Sequence, residues 1–352
     1  MTSATVPVIC TVRGTSGEGA CVLACMALGS LRSSPGSTYA HPPDGGGIGL
    51  ARTAPAEEPA LRPFSFLIAG TQKSGTTSLS KLLDRHRHIQ RAPLKEMHYF
   101  DNEKRDWASG DFSDFRVPPR GNLPKIVGDA TPLYLWWPQA LERIRAYNPD
   151  MKFIAIFRDP IDRLFSQWQM VVNRWPEVAP DWPRFLTRFA PDGLEDRIPE
   201  GVVVAEFRME SGVVRGYYGA QLERGYSMFG EDQFHVLEFG AFLKDHTTAL
   251  DQITDFLEVP RYREYPPLPH SMPGRPGVPG TAPTREDIAS LAERWREDFA
   301  SFKTLSGLDV SHWALQRILD GDLDPGELAA KYARKVVPPE DAHAPDGPAQ
   351  DG

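Results

Sequence analysis

The chain has 352 residues, and 47 Asp and Glu against 39 Lys and Arg give it a formal charge of -8. That length is enough for one large domain or two modest ones with a buried core, and the shares of apolar and charged residues are those of a globular protein. The acidic balance argues against a general nucleic-acid or polyanion binder, while leaving room for a small anionic ligand wherever cations cluster.

Residues 1–60 are rich in Gly, Ser, Pro, Thr and Ala without sustained periodicity, and read as a disordered leader. The apolar run 21–31 is too short to span a bilayer, and Arg13 is the one cation before it, so neither a membrane anchor nor a secretory signal is expected. All three cysteines (Cys10, Cys21, Cys25) lie in this leader. The rest of the chain therefore needs no disulfide or thiolate metal site, which suits a cytoplasmic protein.

From residue 61 the pattern alternates strands with helices. Residues 64–69 (FSFLIA) form an apolar run bounded by Pro63 and Gly70, as expected of a buried parallel strand, and 76–83 turn helical. A second strand is predicted over 152–157 (KFIAIF), with a helix from Asp159-Pro160. A third is predicted over 234–239 (FHVLEF), before a helix with Leu250, Ile253 and Leu257 on one face. Residues 174–212 read as irregular or short helical structure. Ile288, Leu291, Trp295, Phe299 and Phe302 mark a long amphipathic helix, and 337–352 read as a disordered tail. The expected organisation is one α/β domain over 61–336 with a mainly parallel sheet, whose ligands bind beyond the carboxyl ends of the strands.

Two strand-to-helix junctions thus become candidate sites. At the first, Gly70 and Gly75 are spaced as in a Walker A loop, but Thr76 stands where that loop has its Lys, and the Lys comes earlier, at Lys73. A Lys inside the turn can reach the oxygen that bridges a 5′-phosphate and a transferring group. Ser74, Thr76, Thr77 and Ser78 add hydroxyl donors, and Gly75 lets the backbone close in on a phosphate. At the second junction Arg158 ends the strand, and Ser166 follows two turns into the helix; a guanidinium fork and a hydroxyl suit a phosphate. Between the junctions, Glu96 and His98 supply a carboxylate and an imidazole. The cations Lys81 to Lys95 are read mainly as a solvated basic surface. Trp136, Trp137, Trp168, Tyr217 and Tyr218 are read as core or as an aromatic wall for a ligand.

Residues 71–79 (TQKSGTTSL) resemble the 5′-phosphosulfate loop of sulfotransferases that use 3′-phosphoadenosine 5′-phosphosulfate (PAPS), whose core is Lys-x-Gly-Thr. Arg158-Asp159-Pro160 with Ser166 resembles the same family's 3′-phosphate clamp, 85 positions beyond Lys73. Lys95-Glu96-Met97-His98-Tyr99-Phe100 resembles the Glu-x-His-Phe-Phe element of its heparan-type branch. The resemblance implies a P-loop-type three-layer fold and PAPS as donor, with no metal expected. It assigns Lys73, Ser74, Gly75, Thr76, Thr77, Ser78, Arg158 and Ser166 to nucleotide binding. Lys73, Glu96 and His98 fall to catalysis, Glu96 as general base and His98 as a second candidate or its partner.

Residues 128–134 (GDATPLY) resemble a family segment implied to line the acceptor cleft, and the resemblance runs on to about residue 313. Two departures stand out: no Cys exists for that branch's disulfide, and residues 270–283 hold only Arg275 where relatives carry a basic loop. The expected acceptor is a hydroxyl, less readily an amine, of a sugar, phenol or other small molecule or glycan; no nucleic acid is expected. Two alternatives stay open. An ATP-dependent P-loop kinase would want its Lys after Gly75 and a magnesium-binding Asp after the strand, and a nucleotide-binding module would lack catalysis.

Overall fold

The computed structural model describes residues 61–121, 125–175, 182–187, 198, 203–269 and 277–337. The chain divides into two units, Met1–Ala56 and Glu57–Gly352, and every described residue lies in the second. The leader, and the tail beyond Val337, lie outside the described residues.

Five parallel strands form the central sheet: β1 Phe66–Gly70, β2 Ile89–Arg91, β3 Ile126–Asp129, β4 Lys152–Phe157 and β5 Phe234–Glu238. Their order is β2-β3-β1-β4-β5, with Phe66 in register with both Gly128 and Lys152, and Phe153 with Phe234. Because successive residues of a strand face opposite ways, the central strands feed two cores. Leu67, Ala69, Phe153, Ala155 and Phe157 join one apolar cluster; Phe66, Ile68, Ile154 and Ile156 join the other. Strands buried on both faces are why β1 and β4 read as unbroken apolar runs.

Helices cover both faces. On one side lie α1 Thr76–Leu83 and α6 His246–Phe256, which add Leu79, Leu82, Leu250 and Ile253 to the second cluster. On the other lie α2 Ala140–Tyr147, α3 Pro160–Arg174, α4 Val204–Glu210, α5 Tyr218–Phe229, α7 Arg285–Ser306, α8 Ala314–Asp320 and α9 Pro325–Ala333. The amphipathic reading of α7 holds, since Ile288, Leu291, Trp295, Phe299 and Phe302 are all buried. A Thr284–Asp287 capping box starts it and Gly307, at φ 61°, stops it.

Three expectations shift. β5 stops at Glu238, whose carboxylate turns back to accept from the Ala241 N–H at 2.5 Å and starts a helical turn at Phe239. The folded segment reaches Val337, because Val336–Val337 pairs in parallel with Val278–Pro279. The five aromatics offered as core or wall are core: Trp136, Trp137, Trp168, Tyr217 and Tyr218 are each at most 5% exposed. No helix among the described residues is long and apolar enough to cross a membrane.

Strand order changes direction at β1, so the crevice between the carboxyl ends of β1 and β4 is where an open α/β sheet receives a ligand. The two junctions named above sit at those ends.

Candidate active site

Loop 71–75 is braced from beneath. The Thr71 hydroxyl donates to the Ile156 carbonyl at 3.0 Å and lies 2.7 Å from the Ser74 hydroxyl, and both side chains are buried. Ser74, expected to face a nucleotide, is instead part of this brace. Thr76 is buried too, so Gln72, Lys73, Gly75, Thr77 and Ser78 are the groups of this turn and helix start that are not buried. Lys73 and Gly75 both take positive φ (70° and 90°). A side chain at Gly75 would meet the Phe239 ring at 2.7 Å, so only glycine fits this turn.

The two helix starts differ in a way that sorts the site. Helix α3 is capped by Asp159, which accepts from Ile161 and Asp162 N–H at 2.9 and 3.0 Å. Helix α1 has glycine as its N-cap, no side-chain cap and no acidic residue in its first turn. Its start therefore offers backbone N–H groups and the positive end of the helix dipole to an anion.

Arg158 brings the second junction to the first. Its guanidinium reaches the Lys73 carbonyl at 3.4 Å, lies 3.6 Å from Asp162, and sits 5.4 Å above the Phe239 ring. The half-buried Ser166 lies one turn beyond Asp162 on the same helix face. Asp162 is held by the Tyr332 hydroxyl at 2.7 Å. Burial, and then the nearby charge of Arg158, push the Lys73 ammonium below its usual range; Lys95 adds to this and Glu96 opposes it. Lys73 thus lies within electrostatic reach of both the arginine clamp and the Glu96 segment.

Glu96 and His98 follow β2, both half-buried and both at positive φ (59° and 50°). Such backbone is costly for residues with side chains and persists only where the surroundings enforce it. Here a knot below enforces it. Asp129 accepts from Ala130 N–H, the Thr131 and Tyr134 hydroxyls, and Met97 N–H; Thr131 in turn takes His98 N–H, and Tyr134 takes Tyr99 N–H. Asp129, Thr131 and Tyr134 are all buried. The segment expected to line an acceptor cleft is thus, at these three residues, the scaffold of the Glu96 turn.

The side chains form a line of alternating charge. The Lys95 ammonium touches one Glu96 oxygen, and His98 Nε2 lies 3.6 Å from the other. His98 Nδ1 is 2.7 Å from Asp101, and the Arg208 guanidinium is 3.3 Å from the same Asp101 oxygen. Burial would raise the Glu96 carboxyl, but hydrogen bonds from His98 and Lys95 overcome it and hold it at about 2. Burial would lower His98, and its bonds to Asp101 and Glu96 instead raise it to about 9. At neutral pH Glu96 is therefore a carboxylate and His98 an imidazolium.

Of the basic run Lys81 to Lys95, only Lys95 reaches this line. Arg91 pairs with Asp84 at 3.7 Å. His86 is buried, with Nε2 2.8 Å from the Pro260 carbonyl. Lys81, Arg85 and Arg87 face solvent, and Arg275 lies outside the described residues. Asp101 was within reach of sequence reasoning, three residues after His98, whereas Arg208 joins it from 107 positions away with no local signal.

The fold is an α/β fold of P-loop type, with a helix start that lacks a side-chain cap at its topological switch point. A family model described as the sulfotransferase domain matches residues 63–266, more than half of the chain, and the chain belongs to that family. It is 28% identical to human heparan sulfate glucosamine 3-O-sulfotransferase 6 over 230 residues, 65% of this chain and 60% of that protein. A membrane-associated sulfotransferase, kil1, of Dictyostelium discoideum is 31% identical over 122 residues, 34% of this chain and 25% of that one. The chain therefore spans less than two thirds of these relatives. A crystal structure of a sulfotransferase from Alicyclobacillus acidocaldarius superposes with a TM-score of 0.54 at 25% identity, covering 72% of this chain and 98% of that one.

Proposed function

We propose that this chain transfers a sulfuryl group from PAPS to a hydroxyl of a sugar or another small acceptor. The observation that carries the reading is the meeting of an uncapped helix start, Lys73 and Arg158 in one crevice, with an ionised Glu96 within electrostatic reach of Lys73. These groups suit a nucleotide with anionic charge at two places. The α1 start, Lys73, Thr77 and Ser78 would hold the 5′-phosphosulfate, and Arg158 with Ser166 the 3′-phosphate. Ser74 and Thr76 contribute through the brace and backbone. PAPS supplies an already activated sulfuryl group: the acceptor oxygen bonds to sulfur while the bond from sulfur to the phosphate oxygen breaks.

The chain's residues do the rest. Glu96 takes the acceptor proton, general-base work worth about 10²–10⁴-fold. Lys73 and the α1 N–H groups stabilise charge growing on the leaving phosphate oxygen. His98, already protonated, serves as the partner that orients Glu96, not as the base. A sugar hydroxyl is favoured by the glucosamine 3-O-sulfotransferase relatives.

Calorimetry with adenosine 3′,5′-bisphosphate and adenosine 5′-monophosphate tests the nucleotide half. The wild type should prefer the bisphosphate. Arg158→Ala should erase that preference, about a 10–100-fold loss for charge-assisted hydrogen bonds, and Lys73→Ala should weaken both ligands. Equal wild-type affinity for the two nucleotides would refute the assignment.

A further inference from the structure

One buried side chain touches the phosphate loop directly and the Glu96 segment through one intermediary, Arg208. Arg215 is 3% exposed, and neither it nor the fully buried Arg163 forms an ion pair among the described residues. A buried guanidinium without a carboxylate is expensive, and an apolar side chain would fill the space at lower cost. Its contacts show what the charge and the five N–H groups are used for. One end donates to the Gln72 side-chain oxygen, next to Lys73 in the phosphate loop. The other donates to the backbone carbonyl of Arg208, and Nε donates to the Ser211 hydroxyl at 3.0 Å. The Trp136 ring, 4.6 Å from the guanidinium carbon, backs the plane. Arg208 continues the line, donating to the Asp101 carbonyl at 2.9 Å and pairing with its carboxylate, which holds His98 against Glu96.

We propose that Arg215 is a positioning residue that fixes the phosphosulfate loop and the Glu96 base in one register, through the continuous chain Gln72–Arg215–Arg208–Asp101–His98–Glu96. The proposal rests on the sulfuryl-transfer reading for the meaning of the two ends. In-line transfer needs donor and base held to within a fraction of an ångström, and a 1 Å error in such positioning costs about 10²-fold in rate. The loop and the base segment lie on different strands, β1 and β2, with β3 between them. A rigid fork bonded to Gln72 on one side and to the Arg208 carbonyl and Ser211 on the other, with Arg208 reaching on to Asp101, can do what the sheet does not. Lys offers one ammonium in place of the fork and cannot bridge Gln72, Ser211 and the Arg208 carbonyl together. Holding the charge there is costly: burial, then the charges of Arg163 and Arg208, push the Arg215 guanidinium well below its ordinary pKa, and Asp101 and Glu96 only partly offset this.

The test is an NMR titration of the His98 imidazole in the full chain, free and with adenosine 3′,5′-bisphosphate, for wild type, Arg215→Lys, Gln72→Leu and the double variant. Gln72 is half-buried in the loop and its replacement leaves the Arg215 charge in place, so this variant reports on the link even should Arg215→Lys fail to fold. In the wild type the bisphosphate should move the His98 titration. Each single variant should lower the free His98 pKa and cut the nucleotide-induced shift to less than half. The double variant should match the singles, the non-additivity expected of one shared link. His98 titrations unchanged in both variants, with only thermal stability reduced, would overturn the proposal and leave Arg215 a structural pin. A wild type that does not bind the bisphosphate would instead defeat the sulfuryl-transfer reading, with the free-protein titrations still deciding whether the link exists.

Discussion

Replacing Asp101 by Asn keeps the side chain's shape but removes the charge that keeps His98 protonated and that pairs with Arg208. Asp101 is fully buried, its Oδ1 has no hydrogen-bond partner, and its Oδ2 takes both His98 and Arg208. Asn can keep its oxygen toward His98 and put its amide where Oδ1 already lacks a partner. His98 stands at about 9 against an ordinary 6.5, and each pKa unit is about 1.4 kcal/mol. Asp101 and Glu96 share that shift, and the His98 side chain is 32% exposed, so solvent screening reduces what either supplies. Loss of the Asp101 charge should therefore cost about 1–2 kcal/mol, lowering the His98 pKa by about one unit or more.

The sign follows from the raised value. His98 contributes stability in full below pH 6.5 and loses it as pH climbs to about 9. Glu96, held at about 2, contributes in full above 4.5 and loses it as pH falls toward 2. The pair is therefore strongest between pH 4.5 and 6.5. Thermal unfolding from pH 5 to 9, with the His98 ring followed by NMR, reads both effects. The wild-type advantage over Asp101→Asn should be largest near pH 6 and shrink by pH 9. A constant difference across that range, or an unmoved His98 titration, would mean that the Asp101 charge does not hold His98 protonated.

Other outcomes follow from the same geometry. Glu96→Gln should retain affinity for adenosine 3′,5′-bisphosphate while transfer falls by about 10²–10⁴-fold, seen by calorimetry beside a turnover assay. Gly75→Ala combines a left-handed turn, costing about 1–2 kcal/mol, with a contact 2.7 Å from Phe239; its melting temperature and its bisphosphate affinity should fall together. His86 is a structural counterpart: burial lowers its pKa, so it should cost stability as pH drops below 6.5, and His86→Gln should flatten that acid limb in a melting series.

Much of the frame was legible because its signals are local. β1 and β4 are unbroken apolar runs, α3 begins with Asp-Pro, and α7 repeats its aromatics at helical spacing. The displaced Lys73 and the Arg158 that ends β4 pointed to the crevice where the structure brings them together. Less legible was how each residue is employed. Ser74 and Thr76 match a binding motif, yet burial turns one into a brace and hides the other, since motif spacing does not report side-chain direction. Asp129, Thr131 and Tyr134 hold the Glu96 turn from below, because three buried polar groups two and three residues apart satisfy one another and the adjacent backbone. Arg208 and Arg215 were invisible for a different reason. Their partners lie 107 and 143 positions away, and only the packing of α4 and the turn before α5 against the sheet brings them near.

Sulfuryl transfer from PAPS in this crevice leaves a product of defined mass. Incubating the chain with PAPS and a panel of sugars, phenols and amines, and reading products by mass, addresses it directly. A gain of one sulfo group is expected on at least one acceptor, a sugar hydroxyl first, and none above background with Glu96→Gln. No sulfo product across the panel, or magnesium-dependent phosphoryl transfer from ATP in its place, would contradict it.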